Sequence, residues 1–194
     1  MKYKSMYTRF FVLFLVVPVV LAGCHNHTPS PSETIELPQE VQEVADAITL
    51  AHQRLQEGTL RLKIYHVGDG VMYRYGPTVD MLISDSQIAE VIAVENGELQ
   101  NSGSFFDRLQ IESLQPVEND VGQVVCLCYV FETPEDGVIF TVAFNQNWST
   151  PDALYYTVII NELEIQYNEM FYEFIRPYLT KDILDRWDAV LDYN

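Results

Sequence analysis

Eight consecutive residues, Val124 to Phe131, are all apolar or aromatic. In an extended chain Val124, Cys126, Cys128 and Val130 line one face, and Val125, Leu127, Tyr129 and Phe131 line the other. An antiparallel strand that is apolar on both faces cannot sit on the outside of a sheet with one side in water. It belongs near the sheet centre with material packed above and below it. That requirement excludes an all-helical chain and a single-faced open sheet. It also asks the remaining segments to supply covering helices.

The neighbouring sequence supplies strands and helices in a fitting order. Val138 to Asn145 and Leu154 to Ile160 read as further strands, and Leu109 to Val117 as one before them. The turn-rich pieces Glu118-Asn119-Asp120, Thr133-Pro134-Glu135-Asp136-Gly137 and Asn147 to Asp152 separate them. Such short connections force antiparallel neighbours, so the C-terminal half reads as a meander. Upstream, Val41, Val44, Ile48, Ala51 and Leu55 form one helical stripe over Pro38 to Glu57, with Pro38 at the first helical position and Gly58 as the cap. Leu60 to Val67 alternates as a strand that places His66 on its apolar face; Gly68-Asp69-Gly70 turns, and Val71 to Tyr75 suits a hairpin partner. The stretch from Gly76 to Gln100 fits a short helix or a strand leading into the Asn96-Gly97 turn. Ser104 and Asp107 suit a one-turn helix. Met170, Phe171, Phe174, Ile175 and Tyr178 form a helix that Pro177 ends or kinks, and Thr180 opens a last one burying Ile183, Leu184, Trp187, Val190 and Leu191. The expected fold is therefore α+β: an N-terminal helix, a mostly antiparallel curved sheet with a C-terminal meander, and two C-terminal helices. A helix ahead of such a sheet looks like the cystatin or nuclear-transport-factor-2 class of exported domains over residues 38–165, to which the C-terminal helices are an addition.

The first residues follow a different logic. Lys2, Lys4 and Arg9 precede a 14-residue apolar run, Phe10 to Gly23, broken only by Pro18. A membrane-spanning helix needs about 20 apolar residues, whereas this length suits the apolar core of a secretory signal. The run ends in Leu21-Ala22-Gly23-Cys24. This resembles the lipobox of bacterial lipoproteins, which implies a diacylglyceryl thioether on Cys24 and cleavage just before it. The organisation expected is residues 1–23 as signal peptide, 24–37 as lipidated tether, and 38–194 as one α+β domain. His25, Asn26, His27, Thr28, Pro29, Ser30, Pro31 and Ser32 read as a solvated linker. The two histidines are too isolated to make a metal site.

Charge narrows the partners. The 194 residues hold 11 Lys and Arg against 28 Asp and Glu, a net −17. Three of the basic residues and none of the acidic ones lie in the signal, so cleavage takes the domain to −20. Nucleic-acid binding needs clustered cations, so no nucleic acid is expected. A basic protein or another envelope component suits the field better. The chain contains no Gly-X-Ser-X-Gly, His-Glu-X-X-His, phosphate-binding glycine loop or Cys-X-X-Cys sequence. Beyond the linker only His52 and His66 are available as imidazole bases. No catalytic residue, metal ligand or cofactor is assigned. Cys126 and Cys128, roughly 7 Å apart on one face of a strand, are read as a buried apolar pair outside disulfide reach; a redox Cys-X-Cys pair, which needs a lowered thiol pKa, is the sharper alternative.

Four features stay as candidates. Tyr155, Tyr156, Tyr167 and Tyr172, with Phe171, Phe174 and Tyr178, crowd a short region and suit a core or a binding surface. Glu162 and Glu164 read as a solvated pair. Asp182, Asp185, Asp188 and Asp192 read as a polar helix face, or as a calcium or basic-partner face. The Asn147-Trp148-Ser149 sequon says nothing in a bacterial lipoprotein. The resemblance at Cys24 implies a lipid-anchored, extracytoplasmic protein of the cell membrane or envelope. The expected function is surface binding or interaction by the acidic domain; the alternative is a carboxylate-dependent enzyme acting on an envelope polymer.

Overall fold

A computed structural model describes residues 37–68, 76–99, 102–109, 114–117, 122–150 and 153–191, without the side chains of 147–150, 153–156 and 188–191. The fold is α+β. Six strands form one antiparallel sheet: β1 (Arg61–Val67), β2 (Ala89–Val94), β3 (Val125–Thr133), β4 (Gly137–Thr150), β5 (Ala153–Ile160) and β6 (Leu163–Gln166). Their spatial order is β2-β1-β3-β4-β5-β6. The helices are α1 (Gln39–Gln56), α2 (Val79–Ser84), α3 (Ser102–Arg108), α4 (Met170–Ile175) and α5 (Lys181–Leu191), with 3₁₀ turns at Asn96–Glu98 and Arg176–Tyr178. Among the described residues no helix is long and apolar enough to cross a membrane.

The doubly apolar segment is β3, an interior strand between β1 and β4, covered on both faces. Leu127, Tyr129 and Phe131 join the larger core, to which α1, α3, α4 and α5 contribute Val44, Phe105, Phe106, Phe171, Phe174 and Trp187. Val125, Cys128 and Val130 face a smaller cluster with Tyr65, Ala143, Ile159 and Leu82 of α2. The larger core is built around rings. Phe131 lies 4.7 Å from Phe140, 5.3 Å from Phe106, 5.6 Å from Phe174 and 5.7 Å from Tyr129, centroid to centroid. These separations are in the range where aromatic pairs attract beyond simple burial.

Helix α1 begins at Gln39, so Pro38 stands one position ahead of the expected one, at the N-cap; its carbonyl accepts from Gln42 N–H (3.1 Å). The helix ends where Gly58 takes φ +77° and Thr59 N–H returns to the Arg54 carbonyl (3.0 Å), the six-to-one bond of a Schellman ending. The end is also clamped to the β3–β4 turn. Arg54 Nε and Nη2 donate to the two carboxylate oxygens of Asp136 (2.7 and 3.0 Å), and Thr133 Oγ1 donates to the same carboxylate (2.9 Å).

Three expectations need correction. In the stretch from Leu109 to Val117, expected as a strand, the described residues 109 and 114–117 form none: Leu109 N–H closes the α3 turn on Phe105, and Pro116 makes an isolated bridge to Ile165. Second, β1 pairs on one side with β3 and on the other with β2, from the stretch that read ambiguously; Val71 to Tyr75, the expected hairpin partner, lies outside the described residues. The two alanines of β2 blurred its alternation. Third, Cys126 and Cys128 do not share a face. Val125 pairs with Asn145 but Leu127 pairs with Phe144, so Cys126 is the extra residue of a β-bulge. It packs with the larger core, and Cys128 with the smaller one. The short strand β6 and the early start of α3 at Ser102 had no clear pattern; Tyr172, read as a surface candidate, is a core residue (below).

Phe131 is fully buried. Phe131→Ala is expected to cost ~3–5 kcal/mol, a large part of the ~5–15 kcal/mol that holds a domain together; the shift of the urea unfolding midpoint at unchanged slope measures it. The clamp makes a pH prediction. Arg54 and then Thr133 hold the Asp136 carboxyl below its ordinary value. Its contribution is therefore complete above the ordinary carboxylate range and is lost as pH falls through the lower folded value. Asp136→Asn should destabilise the protein at neutral pH, with the difference from wild type shrinking toward strongly acidic pH in a pH series of thermal melts.

Candidate functional site

The larger-core face does not close evenly. Where the C-terminal end of β1, the start of β3 and the middle of β4 meet α5, an open cleft of about 210 Å³ remains, lined by His66, Val67, Cys126, Gln146, Arg186 and Trp187. The period-2 alternation of β1 puts His66 on the face of Leu62 and Ile64. The β-bulge turns Cys126 to that same face. Trp187 is buried in the α5 stripe, 6.0 Å from the Phe144 ring and 6.5 Å from Tyr172.

His66, Gln146 and Arg186 are the polar side chains of the cleft, and Arg186 Nε donates to the Asp182 carbonyl (3.4 Å). His66 is 5% exposed; its Nδ1 lies 3.2 Å from the Val67 carbonyl and its Nε2 3.7 Å from the exposed Glu90 carboxylate. Burial pushes the Cys126 thiol above its ordinary value, and pushes Cys128 up to about 12. A reactive cysteine needs the reverse shift, because the thiolate is the nucleophile. Among the described residues no hydrogen bond joins Cys126 to His66. The redox pair is therefore overturned: both thiols are free, protonated at neutral pH and on opposite faces of the sheet. The cleft is smaller than the roughly 300–1,000 Å³ of sites for drug-sized ligands. It matches a single side chain or a group of that size, with an indole wall and a histidine at its rim.

The remaining candidates fall in different places. Tyr172 is buried, with its ring 6.3 Å from Phe144, so it builds the core and not a surface. Tyr167 is half-buried against the same phenylalanine, and burial raises its phenol to about 12. Tyr155 and Tyr156 pair through their backbones with Asn147 and Gln146; their side chains lie outside the described residues, as do those of the Asn147-Trp148-Ser149 sequon. Glu162 is exposed at the β5–β6 turn. Glu164 is not its solvated twin. Its Oε1 accepts from Asn145 Nδ2 (2.9 Å) and from Thr157 Oγ1, while Asn145 Oδ1 accepts from Val124 N–H (2.8 Å). This network, hidden from sequence because its members are 12 and 7 residues apart or more along the chain, ties the bulge to β4, β5 and β6. Asp185 pairs with Lys181 on its own helix (2.5 Å), and the Asp182 carbonyl accepts from Arg186 Nε (3.4 Å); the Asp188 side chain and Asp192 lie outside the described residues. His52, the other imidazole, stacks on Phe106 at 5.5 Å. Cys24, His25 and His27 also lie outside the described residues. The cleft was missed in sequence because the bulge that brings Cys126 beside His66 leaves no compositional trace.

No known protein family, curated protein or solved structure matches the chain.

Thiol labelling reads the site directly. In a Cys24→Ser background, a small maleimide should modify Cys126 slowly and Cys128 far more slowly still. Both should react fully on unfolding in urea. Equal native rates measured by peptide mass mapping would contradict the placement of the two thiols.

Proposed function

We propose that the chain is an exported lipoprotein whose domain binds a partner at the outer face of a membrane. The observation that carries this reading is Leu21-Ala22-Gly23-Cys24 at the end of a 14-residue apolar run behind Lys2, Lys4 and Arg9. Charge, apolar length, small residues and cysteine stand in the order an export and lipidation signal requires. In this reading residues 1–23 are removed, Cys24 becomes the lipidated N-terminus, and residues 24–37 tether the domain of 38–194. More than one acyl chain gives stable anchoring, because each buried methylene contributes ~0.8 kcal/mol. A spacer also suits a domain of −20 beside anionic headgroups, since repulsion between them decays over about 8–10 Å in physiological salt.

Binding is favoured over chemistry at the domain by the character of the cleft. Its cysteine is protonated, and its walls are largely apolar around a few placed polar groups. Glu164, the most enclosed of the carboxylates considered above, is occupied as a hydrogen-bond acceptor for Asn145 and Thr157. The cleft beside Trp187 is proposed to receive one apolar or aromatic group of the partner.

The intact mass of protein extracted from its membrane fraction tests the anchor. The expected mass is that of residues 24–194 plus a diacylglyceryl group and any further acyl chain. Cys24→Ala should remain full-length and unlipidated. Identical, unmodified full-length masses for both proteins would refute the proposal.

A further inference from the structure

The two edges of the sheet are finished differently. Beside β6, the segment 115–117 supplies main-chain partners: Val117 N–H donates to the Glu164 carbonyl (2.9 Å) and Gln166 N–H to the Gln115 carbonyl (3.1 Å). At the other edge stands β2, which pairs only with β1 in the sheet order; among the described residues no strand lies on its outer side. Its backbone polarity can be assigned. Gly68 N–H donates to the Ile88 carbonyl (3.0 Å), and the ladder continues in the same register through His66↔Glu90, Ile64↔Ile92 and Leu62↔Val94. Antiparallel ladders alternate, so those residues of β2 spend their N–H and C=O groups on β1. Val91 and Ala93 carry theirs on the outer side. The Val91 side chain, opposite Tyr65, is 49% exposed, and Ala93 is exposed as well.

The surroundings of this edge are acidic. Glu90 lies on the strand, Asp85 just before it, and Glu95 and Glu98 just after it. Glu90 is 65% exposed. Of the cations on β1, Arg61 pairs with Glu95 (2.9 Å) and Lys63, opposite Ala93, is engaged by Glu132 (2.8 Å). The whole chain carries −17. A second copy of this chain would bring like charge to like charge along the edge, which is one of the ways native sheets avoid edge-to-edge pairing. An extended segment rich in lysine or arginine meets the opposite situation.

We infer that β2 is a docking edge for an extended basic segment of a partner polypeptide, which adds to the sheet as a seventh strand. Main-chain bonds to Val91 and Ala93 supply affinity, and cations beside Glu90 and Glu98 select the partner. Val91 and Ala93, which carry the outward main-chain groups, do not line the cleft, although Glu90 lies 3.7 Å from its His66, so the strand-addition readouts at Val91 and Ala93 are independent of the cleft and of the lipid anchor.

The test uses the full-length chain and an amidated peptide alternating lysine with threonine, against the same peptide N-methylated at alternate amides. Calorimetry and amide hydrogen exchange are the readouts. Binding should slow exchange at the Val91 and Ala93 amides specifically, and N-methylation of the peptide should weaken binding at least about tenfold. Val91→Pro removes an outward N–H, a substitution that an edge strand tolerates, and should weaken binding comparably; Glu90→Lys should weaken it while leaving the exchange of the β1–β2 amides as in wild type. If Val91→Pro fails to fold, the N-methylated peptide still decides. Equal affinity of the two peptides would show charge attraction without strand addition. Absence of binding would show an edge that is merely blunted by its charges. Concentration-dependent protection of Val91 and Ala93 without peptide would show a second copy there. Each of these three results overturns the inference.

Discussion

Burial of β3 on both faces is the constraint on which the other elements depend. A strand whose successive side chains are Leu127, Cys128, Tyr129, Val130 and Phe131 loses its stability if either side is opened to water. The chain meets that demand unequally. Four helices and a set of interlocking phenylalanines cover one face, and the short helix α2 covers the other. The aromatic side carries most of the packing, since Phe105, Phe106, Phe131, Phe140, Phe171 and Phe174 come from four separate stretches of sequence and meet only when the sheet is formed. Such a core couples the N-terminal helix, the meander and the C-terminal helices into one cooperative unit.

The β-bulge at Cys126 is where regular packing gives way to a site. One inserted residue moves a thiol from the α2 side to the helix side and kinks the start of β3. The bulge is not an accident of a loose strand end. Val124 N–H is held by Asn145, and Asn145 in turn by Glu164, so buried polar groups specify the irregularity and satisfy it. With Cys126 facing His66 and Trp187 closing one wall, the strand ends and α5 leave a small cleft. The same cause explains the chemistry of that cleft. The groups that form it were drawn there by packing, and burial keeps its thiol protonated.

Charge acts at longer range and on different questions. An excess of 17 negative charges does little to choose the fold, but it governs what approaches it. Where cations are present they are largely engaged locally: Arg54 by Asp136 and Glu57, Lys63 by Glu132, Arg61 by Glu95. The clamp at Arg54 locks the end of α1 to the β3–β4 turn, whereas the acidic edge at β2 faces outward.

How much of this was legible follows from the range of each signal. The hydrophobic pattern is local, so α1, β1, β3, β4, β5 and the two C-terminal helices could be read from periodicity and punctuation, as could the α+β class. Features set by distant partners were not legible. β2 is held as a strand by its pairing with the second side of β1, not by a clear alternation of Ala89 to Val94. Leu109 closes α3 instead of opening a strand, and among the described residues the segment 115–117 meets β6 through a single bridge, pairings that depend on partners distant in the chain. The two cysteines part company because a bulge shifts the register, and alternation counted along a sequence assumes that no residue is inserted. Tyr172 belongs to the core because Phe144 and Trp187, 28 and 15 residues away along the chain, come together over its ring. The sequence by itself determined the fold class, the central strand and the charge, because these depend on residue type and near-neighbour spacing. Only the tertiary structure decided which side chains share the cleft and which strands stand at the two edges of the described sheet, because those depend on register between segments far apart in the chain.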